Sequence, residues 1–360
     1  MAGPPPVIAR ARTAVRLALT TRLEDLADDT DASRFSPRVL VGVSGGADSL
    51  ALLATTCWVA SRMGLETEAG IVDHGLQEES AGAAEQARTQ AEHLGATAHV
   101  LRVEIQAAAA GGLENAARDA RHAALEHLAQ ERGALAVLLG HTLDDQAEQV
   151  LMALARGAGP RALAGIPRRR GPVLRPFLGS GRDEATALRR ADTEEVCRLL
   201  DLTWWEDPMN QDPAHLRSRV RHAVMPLLRE VLGEQIDENL ARSADLVRPD
   251  ADHLDTEAAA LLESLRRDGA ASREDRDLLL LDVHALAAAP EPLRTRVLRD
   301  ASRRAEQAGG SASDKSLLRR QVLAVDALAV RWRGQAPTAL PGRIEVARRD
   351  GLLVWRRSDP

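Results

Sequence analysis

Several residue types are scarce in this chain. It has no tyrosine, two phenylalanines, five tryptophans, two cysteines and a single lysine. The cysteines, Cys57 and Cys197, form no CxxC motif, so the sequence indicates neither a disulfide framework nor a thiolate metal cluster. Because aromatic residues make up only 2 % of the chain, any stacking on nucleic-acid bases would use Trp204, Trp205, Phe177 or the planes of arginines.

Long apolar runs are absent as well. No run of about 18 uncharged apolar residues occurs, which excludes a typical membrane-spanning helix. Arginines interrupt the N-terminal stretch 1–23, so it does not match a secretory signal. We therefore expect a cytoplasmic protein with no membrane partner.

The charge is weakly acidic overall and unevenly distributed. The formal net charge of −6 argues against a general affinity for nucleic acid. The length of 360 residues predicts two or three domains, and an apolar content of 44 % is ample for a buried core. Arginine supplies nearly all the positive charge, in clusters at 168–170, 189–190 and 217–221. Such clusters are compatible with a basic stripe that binds nucleic acid, and equally with solvated arginine faces.

A strand that runs into a glycine turn and then a helix is the most informative feature. Residues 39–43 are apolar and mostly β-branched, which suits a buried strand, and residues 48–60 are rich in helix formers. Gly45 and Gly46 allow the backbone to approach a ligand closely, and the first N–H groups of the helix favour an anion. The turn is therefore predicted to bind phosphate. It consists of Ser44, Gly45, Gly46, Ala47, Asp48 and Ser49.

This turn resembles the PP-loop of the ATP pyrophosphatases, which cleave ATP between its α and β phosphates. It is not the lysine-containing GxxxxGK(S/T) loop, since the only lysine, Lys315, is far away in sequence. Ser44 and Ser49 add hydroxyl donors to the turn. Asp48 would repel a phosphate unless a divalent cation lay between them, so we expect Mg²⁺ at Asp48.

The order of apolar runs and helical patterns predicts an α/β fold. From residue 38 the two alternate, which indicates a Rossmann-like parallel sheet with helices on both faces and a ligand crevice at the carboxyl ends of the strands. The predicted strands are 38–43, 67–73, 98–104, 135–140 and a short one near 202–205. The predicted helices are 48–62, 79–94, 114–132 and 144–156.

The pattern changes from about residue 233 and predicts a second, mainly helical domain. A terminal hairpin is predicted within 337–356. The expected organisation is an N-terminal extension and helix over 1–36, a catalytic domain over 37–230 and a helical domain over 231–360.

Two further groups of polar residues follow predicted strands. Asp73 and His74 end the strand 67–73 and would meet the ribose or adenine of a nucleotide, or simply cap the turn. Gly140 and His141 follow the strand 135–140 at the same sheet edge. We assign these four residues to the nucleotide site as well.

The predicted helices supply the remaining candidates. Arg118 and Arg121 lie three residues apart on one helix face, where they would clamp a phosphate or pair with neighbouring acids. Asp145 and Glu148 have the same spacing and would project into the crevice, where they suit either Mg²⁺ or an ammonium group. Capping explains one of these carboxylates but not both.

Taken together, the motifs resemble the tRNA(Ile)-lysidine synthase family. The resemblance covers about residues 37–230, and the stretch 207–228 is its most specific part. The matching motifs, in chain order, are SGGADS, VDHGL, LENAARDAR, LGHTLDDQAEQVL, GIP, RPFL and DPMNQDPAHLRSRVRHAVMPLL.

The resemblance implies an ATP-dependent ligase that forms a C–N bond. Members adenylate the wobble cytidine of the isoleucine tRNA with a CAU anticodon, and L-lysine then displaces AMP to form lysidine, so that the tRNA reads AUA. It implies that Asp145 and Glu148 hold the lysine, with Asp145 among the catalytic residues, and that Asp48 supports adenylation. It also implies that Arg118 and Arg121 face phosphate or the activated base.

The late motif is the candidate for tRNA contact. Asn210 and Asp212 can form a polar turn between prolines, and Arg217 and Arg221, at i and i+4, share one helix face. The C-terminal domain would grip the tRNA. Whether the protein forms a homodimer stays open.

Three other interpretations stay open. A PP-loop tRNA thiolase would attack the same adenylated base with sulfur, an amide-forming synthetase would need a glutaminase partner, and a silent PP-loop protein would only bind tRNA. Cys57 and Cys197 are poorly placed for sulfur transfer. The carboxylates Asp48, Asp145 and Glu148 argue against a silent protein.

Overall fold

A computed structural model of the chain describes residues 3–27, 35–73, 80–103, 113–180, 186–208, 212–267, 276–310 and 317–358. The described residues form two compact units, one up to Arg248 and the other from Pro249 onward. None of the helices in these ranges is long and apolar enough to cross a membrane.

The first unit contains a six-stranded, mainly parallel sheet, as predicted. The strand order is β3-β2-β1-β4-β6-β5. β1 pairs in parallel with β2 and β4, and the short β5 is antiparallel to β6. The strands are β1 (Ser36–Val43), β2 (Glu66–Asp73), β3 (Thr97–Arg102), β4 (Ala134–Leu138), β5 (Arg169–Arg170) and β6 (Val173–Leu174).

Helices cover both faces of this sheet. Leu40 of β1 packs in one apolar cluster with Leu125 and Leu128, whereas its neighbours Val39 and Val41 pack in another cluster on the opposite face. The helices of the first unit are α1 (Pro6–Ala27), α2 (Ala47–Arg62), α3 (Ser80–His93), α4 (Leu113–Arg132), α5 (Leu143–Ala155), α6 (Pro160–Leu163), α7 (Arg190–Leu199), α8 (Leu216–Arg219) and α9 (Met225–Leu232), and α10 (Ile236–Leu265) begins in this unit and ends in the second. A π-helical turn, Val220–Val224, joins α8 to α9.

The segment 202–205 forms no strand, contrary to the prediction from its sequence. The backbone N–H of Thr203 donates to Gln90 Oε1 at 2.9 Å, and Gln90 Nε2 donates to the carbonyl of Thr203 at 2.8 Å. The place beside β4 is taken by β6. The N–H of Trp205 instead donates to the carbonyl of Gly45 at 2.9 Å, so this segment supports the glycine turn.

The second unit contains helices, as predicted, but also a small antiparallel sheet, so it is not purely helical. It contains an antiparallel sheet of order β7-β10-β9-β8, and the predicted terminal hairpin is formed by its last two strands. Trp355 is buried in its core and donates to Ser302 Oγ at 3.0 Å. The elements are β7 (Asp277–Asp282), α11 (Val283–Ala288), α12 (Glu291–Ala308), α13 (Arg319–Val330), β8 (Thr338–Leu340), β9 (Ile344–Arg349) and β10 (Leu352–Arg357).

Candidate active site

The glycine turn between β1 and α2 lies beside a cavity of about 340 Å³, lined in part by Ser44, Asp48 and Ser49. The N–H of Ser44 donates to Ser49 Oγ at 3.1 Å, and Ser49 Oγ donates to the carbonyl of Gly46 at 2.9 Å. Gly45 has a φ of +82°, which favours glycine. Because Gly46 has no side chain to cap α2, the first N–H groups of the helix can bind an anion.

The end of β4 approaches the start of α2 very closely. A Cβ atom at Gly140 would lie 2.8 Å from the carbonyl oxygen of Asp48 and 3.2 Å from the nitrogen of Ser49. Gly140 therefore permits a backbone contact that another residue would push apart. Both Gly140 and His141 line the cavity.

His141 is a neutral side chain in this cavity. Burial lowers its pKa to about 3, and the charges of Arg175 and Arg118 act in the same direction against the opposing effect of Asp145. Its buried Nδ1 has no hydrogen-bond partner among the described residues. The ring can therefore accept or donate a hydrogen bond to a bound ligand without carrying charge.

Asp145 and Glu148 occupy the first turns of α5. Asp145 Oδ2 accepts from the N–H of Thr142 at 2.8 Å and so caps the helix, which leaves Oδ1 for other partners. Asp145 lines the cavity. Glu148 is more deeply buried, with 2 % of its side chain exposed, and is not among the cavity-lining residues.

Arginines cover both of these carboxylates. Arg217 donates from Nε to Glu148 Oε2 at 3.0 Å and from Nη2 to Asp145 Oδ1 at 2.9 Å. Arg221, from the π-helical turn, donates from Nε to Glu148 Oε1 at 2.9 Å. Arg217 and Arg221 thus share one side of their helix, as their spacing predicts. Both line the cavity.

A third arginine connects these carboxylates to the glycine turn. Arg190 Nη2 lies 3.3 Å from Asp145 Oδ1 and 3.5 Å from Glu148 Oε1, and its Nε lies 3.8 Å from Asp48 Oδ2. Thr193 donates to the other oxygen of Asp48. We call these six charged residues the arginine–carboxylate cluster: Asp48, Asp145, Glu148, Arg190, Arg217 and Arg221.

Two carboxylates of this cluster differ sharply in acidity. Burial alone would raise the pKa of Asp145, but the positive charges of Arg217 and Arg190 outweigh it and hold that pKa well below the usual range. Burial raises the pKa of Asp48 to about 7, and the negative charge of Asp145 adds to this effect. Asp145 is therefore charged at neutral pH, whereas Asp48 takes up a proton more readily than an ordinary aspartate.

Arg118 and Arg121 line the same cavity from α4. Both residues are exposed, and their spacing places them on the cavity-facing side of the helix, as the sequence indicates. They bring positive charge close to the glycine turn. His122 lines the cavity between them and the sheet.

The remaining candidates do not line the cavity. Asp73 accepts a hydrogen bond from Ser80 Oγ at 2.8 Å at the start of α3, and Asp212 Oδ1 accepts from the N–H of Ala214 at 2.8 Å within its own turn. Ala47 is buried in the first turn of α2. His74 and Asn210 lie outside the described residues.

Sequence reasoning missed several residues of the site. Arg190 and Thr193 were not singled out as site residues, because nothing local distinguishes α7 from a surface helix. Gly42 and Gly70 line the cavity, and a Cβ atom at either would lie within 3 Å of a leucine methyl group, at 2.8 Å and 2.5 Å. Glycine inside a predicted strand was the available signal for these two.

Comparisons with known proteins agree on one family. A family model described as a PP-loop domain matches residues 16–228. A tRNA(Ile)-lysidine synthase from Thermobifida fusca (strain YX) is 45 % identical and covers 98 % of this chain and 99 % of its own. The tRNA(Ile)-lysidine synthase of Leifsonia xyli subsp. xyli is 42 % identical, with 96 % and 98 % covered.

A solved structure with a similar fold is the U34-tRNA thiolase NcsA from Methanococcus maripaludis with its 4Fe–4S cluster. The TM-score is 0.50 at 18 % identity, over 67 % of this chain and 80 % of that chain. At this identity the likeness shows the fold alone.

Proposed function

Since the chain belongs to the tRNA(Ile)-lysidine synthase family, we propose that it joins lysine to the wobble cytidine of the isoleucine tRNA with a CAU anticodon. It is an ATP-dependent ligase with an ATP-binding PP-loop. In this reaction the carbonyl oxygen at carbon 2 of the cytosine attacks the α-phosphate of ATP, and pyrophosphate leaves. An amino group of lysine then attacks carbon 2, loses a proton and displaces AMP.

One observation carries the assignment of the chemistry to this site. A single cavity is lined both by the glycine turn, through Ser44, Asp48 and Ser49, and by Asp145 of the acidic pair. A nucleotide bound at the turn and an amine bound at Asp145 would therefore share one enclosure, which suits transfer between them.

Mg²⁺ fits the turn at Asp48. A carboxylate oxygen is a hard ligand, and Asp48 faces the cavity where phosphates would lie. In the described ranges no three or more His, Cys, Asp or Glu side chains are arranged as a metal site, so the phosphates of ATP would supply further ligands. The bound ion would neutralise charge on those phosphates.

Asp145 and Glu148 are the proposed lysine-binding pair. The low pKa of Asp145 keeps it negative at neutral pH, which supports attraction of an ammonium group rather than acceptance of a proton. Its position on the cavity wall places it beside the nucleotide loop. Glu148 adds a second, buried negative charge behind it.

Arginines of the same cavity are the proposed contacts for tRNA and the activated base. Arg118 and Arg121 line the cavity with exposed side chains, whereas Arg217 and Arg221 line it partly buried and bonded to Asp145 and Glu148. Asn210 and Asp212 belong to the segment before α8. We also propose that residues 231–360 bind the tRNA body and that the enzyme acts in the cytoplasm; light scattering of the full chain tests for a homodimer.

Lysine transfer tests the function directly. Incubation of the full chain with ATP, Mg²⁺, radiolabelled lysine and a transcript of the CAU-anticodon isoleucine tRNA should label the tRNA and release AMP and pyrophosphate. A transcript whose wobble cytidine is replaced by uridine is the control and should stay unlabelled. AMP release that depends on a sulfur donor rather than on lysine would contradict the proposal.

The cysteines support lysine rather than sulfur chemistry. Burial raises the pKa of Cys57 to about 11 and that of Cys197 to about 12. A thiol with so high a pKa is a poor nucleophile at neutral pH. Cys197 also donates its Sγ hydrogen to the carbonyl of Ala47, which fits a packing role.

A further inference from the structure

Arg190 contacts all three carboxylates of the arginine–carboxylate cluster. Its guanidinium reaches Asp145 at 3.3 Å and Glu148 at 3.5 Å on one side, and Asp48 of the glycine turn at 3.8 Å on the other. It thus lies between the proposed nucleotide site and the proposed lysine site. Neither its sequence context nor the proposed reaction gives it a role.

The backbone of Arg190 is held by bonds that do not involve its guanidinium. Its N–H donates to Asp144 Oδ2 at 2.9 Å, and its carbonyl accepts from Thr193 Oγ1 at 2.7 Å. The same Thr193 hydroxyl contacts Asp48. Because these backbone bonds do not use the guanidinium, a change of its partners would leave the start of α7 in place.

The described cluster already neutralises the proposed lysine site. Three guanidinium groups face three carboxylates, and Arg217 and Arg221 lie between the cavity and Glu148. An ammonium group that enters must replace a guanidinium, because adding another cation to a matched set gains little attraction. Lysine binding therefore requires that an arginine leaves.

Nucleotide binding supplies a destination for one of these arginines. Phosphate oxygens at the glycine turn would lie next to Asp48, and guanidinium groups bind phosphate in a bidentate manner. Arg190 is the nearest candidate, since its Nε is already 3.8 Å from Asp48. Movement toward the phosphates would take one of the three guanidinium groups away from Asp145 and Glu148 and leave its place to an ammonium group, while Arg217 and Arg221 keep their hydrogen bonds.

We propose that Arg190 is a positioning residue that occupies the lysine-binding carboxylates in the free enzyme and releases them when ATP binds. The two substrates then bind in order, with ATP before lysine. This inference rests on the proposed function, because it takes Asp145 and Glu148 as the lysine site. It adds a coupling between two substrate sites that neither site shows alone.

Calorimetry of lysine binding to the full chain tests the coupling. With a non-hydrolysable analogue, α,β-methylene ATP, lysine should bind wild-type enzyme about tenfold more tightly than without it. In Arg190→Gln the ratio of the lysine affinities with and without the analogue should fall toward one, because the affinity for lysine without nucleotide rises. A merely structural role for Arg190 predicts the opposite change, a loss of lysine affinity in the variant.

Two further variants keep the test decisive. Arg198→Gln removes an exposed arginine of the same helix, 58 % exposed and paired with Glu194, and should leave the ratio unchanged. Arg190→Lys keeps the charge on a shorter, monodentate group and should give an intermediate ratio, which carries the test if Arg190→Gln does not fold. An unchanged ratio in the Arg190 variants would overturn the inference.

The experiments distinguish a failure of the proposed coupling from a failure of the proposed function. If wild-type enzyme labels tRNA with lysine but binds lysine equally well with and without the analogue, the coupling is wrong and the function stands. If wild-type enzyme fails to label tRNA, the proposed function is wrong, and the carboxylates lose their assignment as a lysine site.

Discussion

Two clusters of charged side chains in the first unit use the same residue types and differ in their surroundings. In the cluster that we call the Glu68 cluster, one carboxylate of β2 contacts Arg38 at 3.0 Å, Arg132 at 3.0 Å and His99 at 3.1 Å. In the arginine–carboxylate cluster, three carboxylates share three arginines beside a cavity. Burial does not separate them, since the side chains of Glu68 and Glu148 are 4 % and 2 % exposed.

The difference lies in how like charges are arranged. At Glu68 burial opposes ionisation, but hydrogen bonds from Arg132 and the charges around it lower the pKa. In the other cluster the pKa of Asp48 is raised, because burial and a neighbouring carboxylate outweigh Arg190. A carboxylate surrounded by bases is held in its charged form, whereas carboxylates crowded beside a cavity oppose each other's ionisation and share arginines that a ligand can reach.

Removing one negative charge from the arginine–carboxylate cluster should have the largest effect on activity. Asp145→Asn keeps the cap of α5, since its amide oxygen can still accept from Thr142, but it removes the negative charge proposed to bind lysine. We expect kcat/KM for lysine to fall on the order of 100-fold with little change in the KM for ATP. Steady-state lysine transfer measures both constants, and equal losses for both substrates would move Asp145 into the nucleotide site.

The corresponding change in the Glu68 cluster should affect stability instead. Glu68→Gln leaves the bases around it without their buried counter-charge, so we expect the free energy of unfolding to fall by about 3 kcal/mol. Lysine transfer at a temperature where the protein is folded should be unchanged. Urea unfolding and the transfer assay measure the two effects.

Glu66→Gln is the matched control for the Glu68 variant. Glu66 lies on the same strand and also contacts Arg38, at 3.2 Å, but it is 69 % exposed. Its loss should cost less than about 1 kcal/mol, as for other surface pairs. A Glu68→Gln enzyme that loses activity while keeping its stability would break the distinction between the two clusters.

Disturbing the backbone contact at Gly140 should have a smaller effect, which falls on the KM for ATP. Gly140→Ala would place a Cβ atom 2.8 Å from the carbonyl of Asp48, and relief of this clash should displace the turn at a cost of about 1–3 kcal/mol. We expect the KM for ATP to rise about tenfold at that cost. Gly82→Ala, where nothing lies within 4 Å, should leave it unchanged, and equal behaviour of the two variants would argue against the contact.

Local patterns predicted the first unit well. The first four predicted strands and their helices agree with β1 to β4 and α2 to α5 within about two residues, because apolar periodicity and glycines mark their ends. The fifth predicted strand was wrong: 202–205 pairs with no strand, and β6 is the strand that lies beside β4. In the second unit the run DLLLLD at β7 was missed, since a short leucine run fits a helix as well as a strand.

Site residues that belong to local motifs were predicted, and those placed only by tertiary packing were missed. The glycine turn, Arg118, Arg121, Asp145, Arg217 and Arg221 were brought together around one cavity as their motifs indicate. Arg190 was not predicted, because its role depends on where α7 packs and not on its neighbours in sequence. The covering of Glu148 by arginines was equally invisible, since charge pairing across 69 residues has no local signal.

A separate effect is the pH dependence that His141 gives to stability. Its pKa in the folded protein is about 3, below the unfolded value of about 6.5. As pH falls below 6.5, the unfolded state gains a proton on this histidine that the folded state does not. The free energy of unfolding therefore falls. The loss amounts to about 1.4 kcal/mol per pH unit between those two values.

His141→Gln isolates this contribution by difference. Asp48 acts with the opposite sign over the same range, because its raised pKa lets the folded state gain a proton first, so wild-type stability alone shows only the balance. Urea unfolding at pH 6.5, 5.5 and 4.5 should show the variant gaining stability relative to wild type at each step down. Parallel pH profiles would mean that burial does not hold His141 neutral.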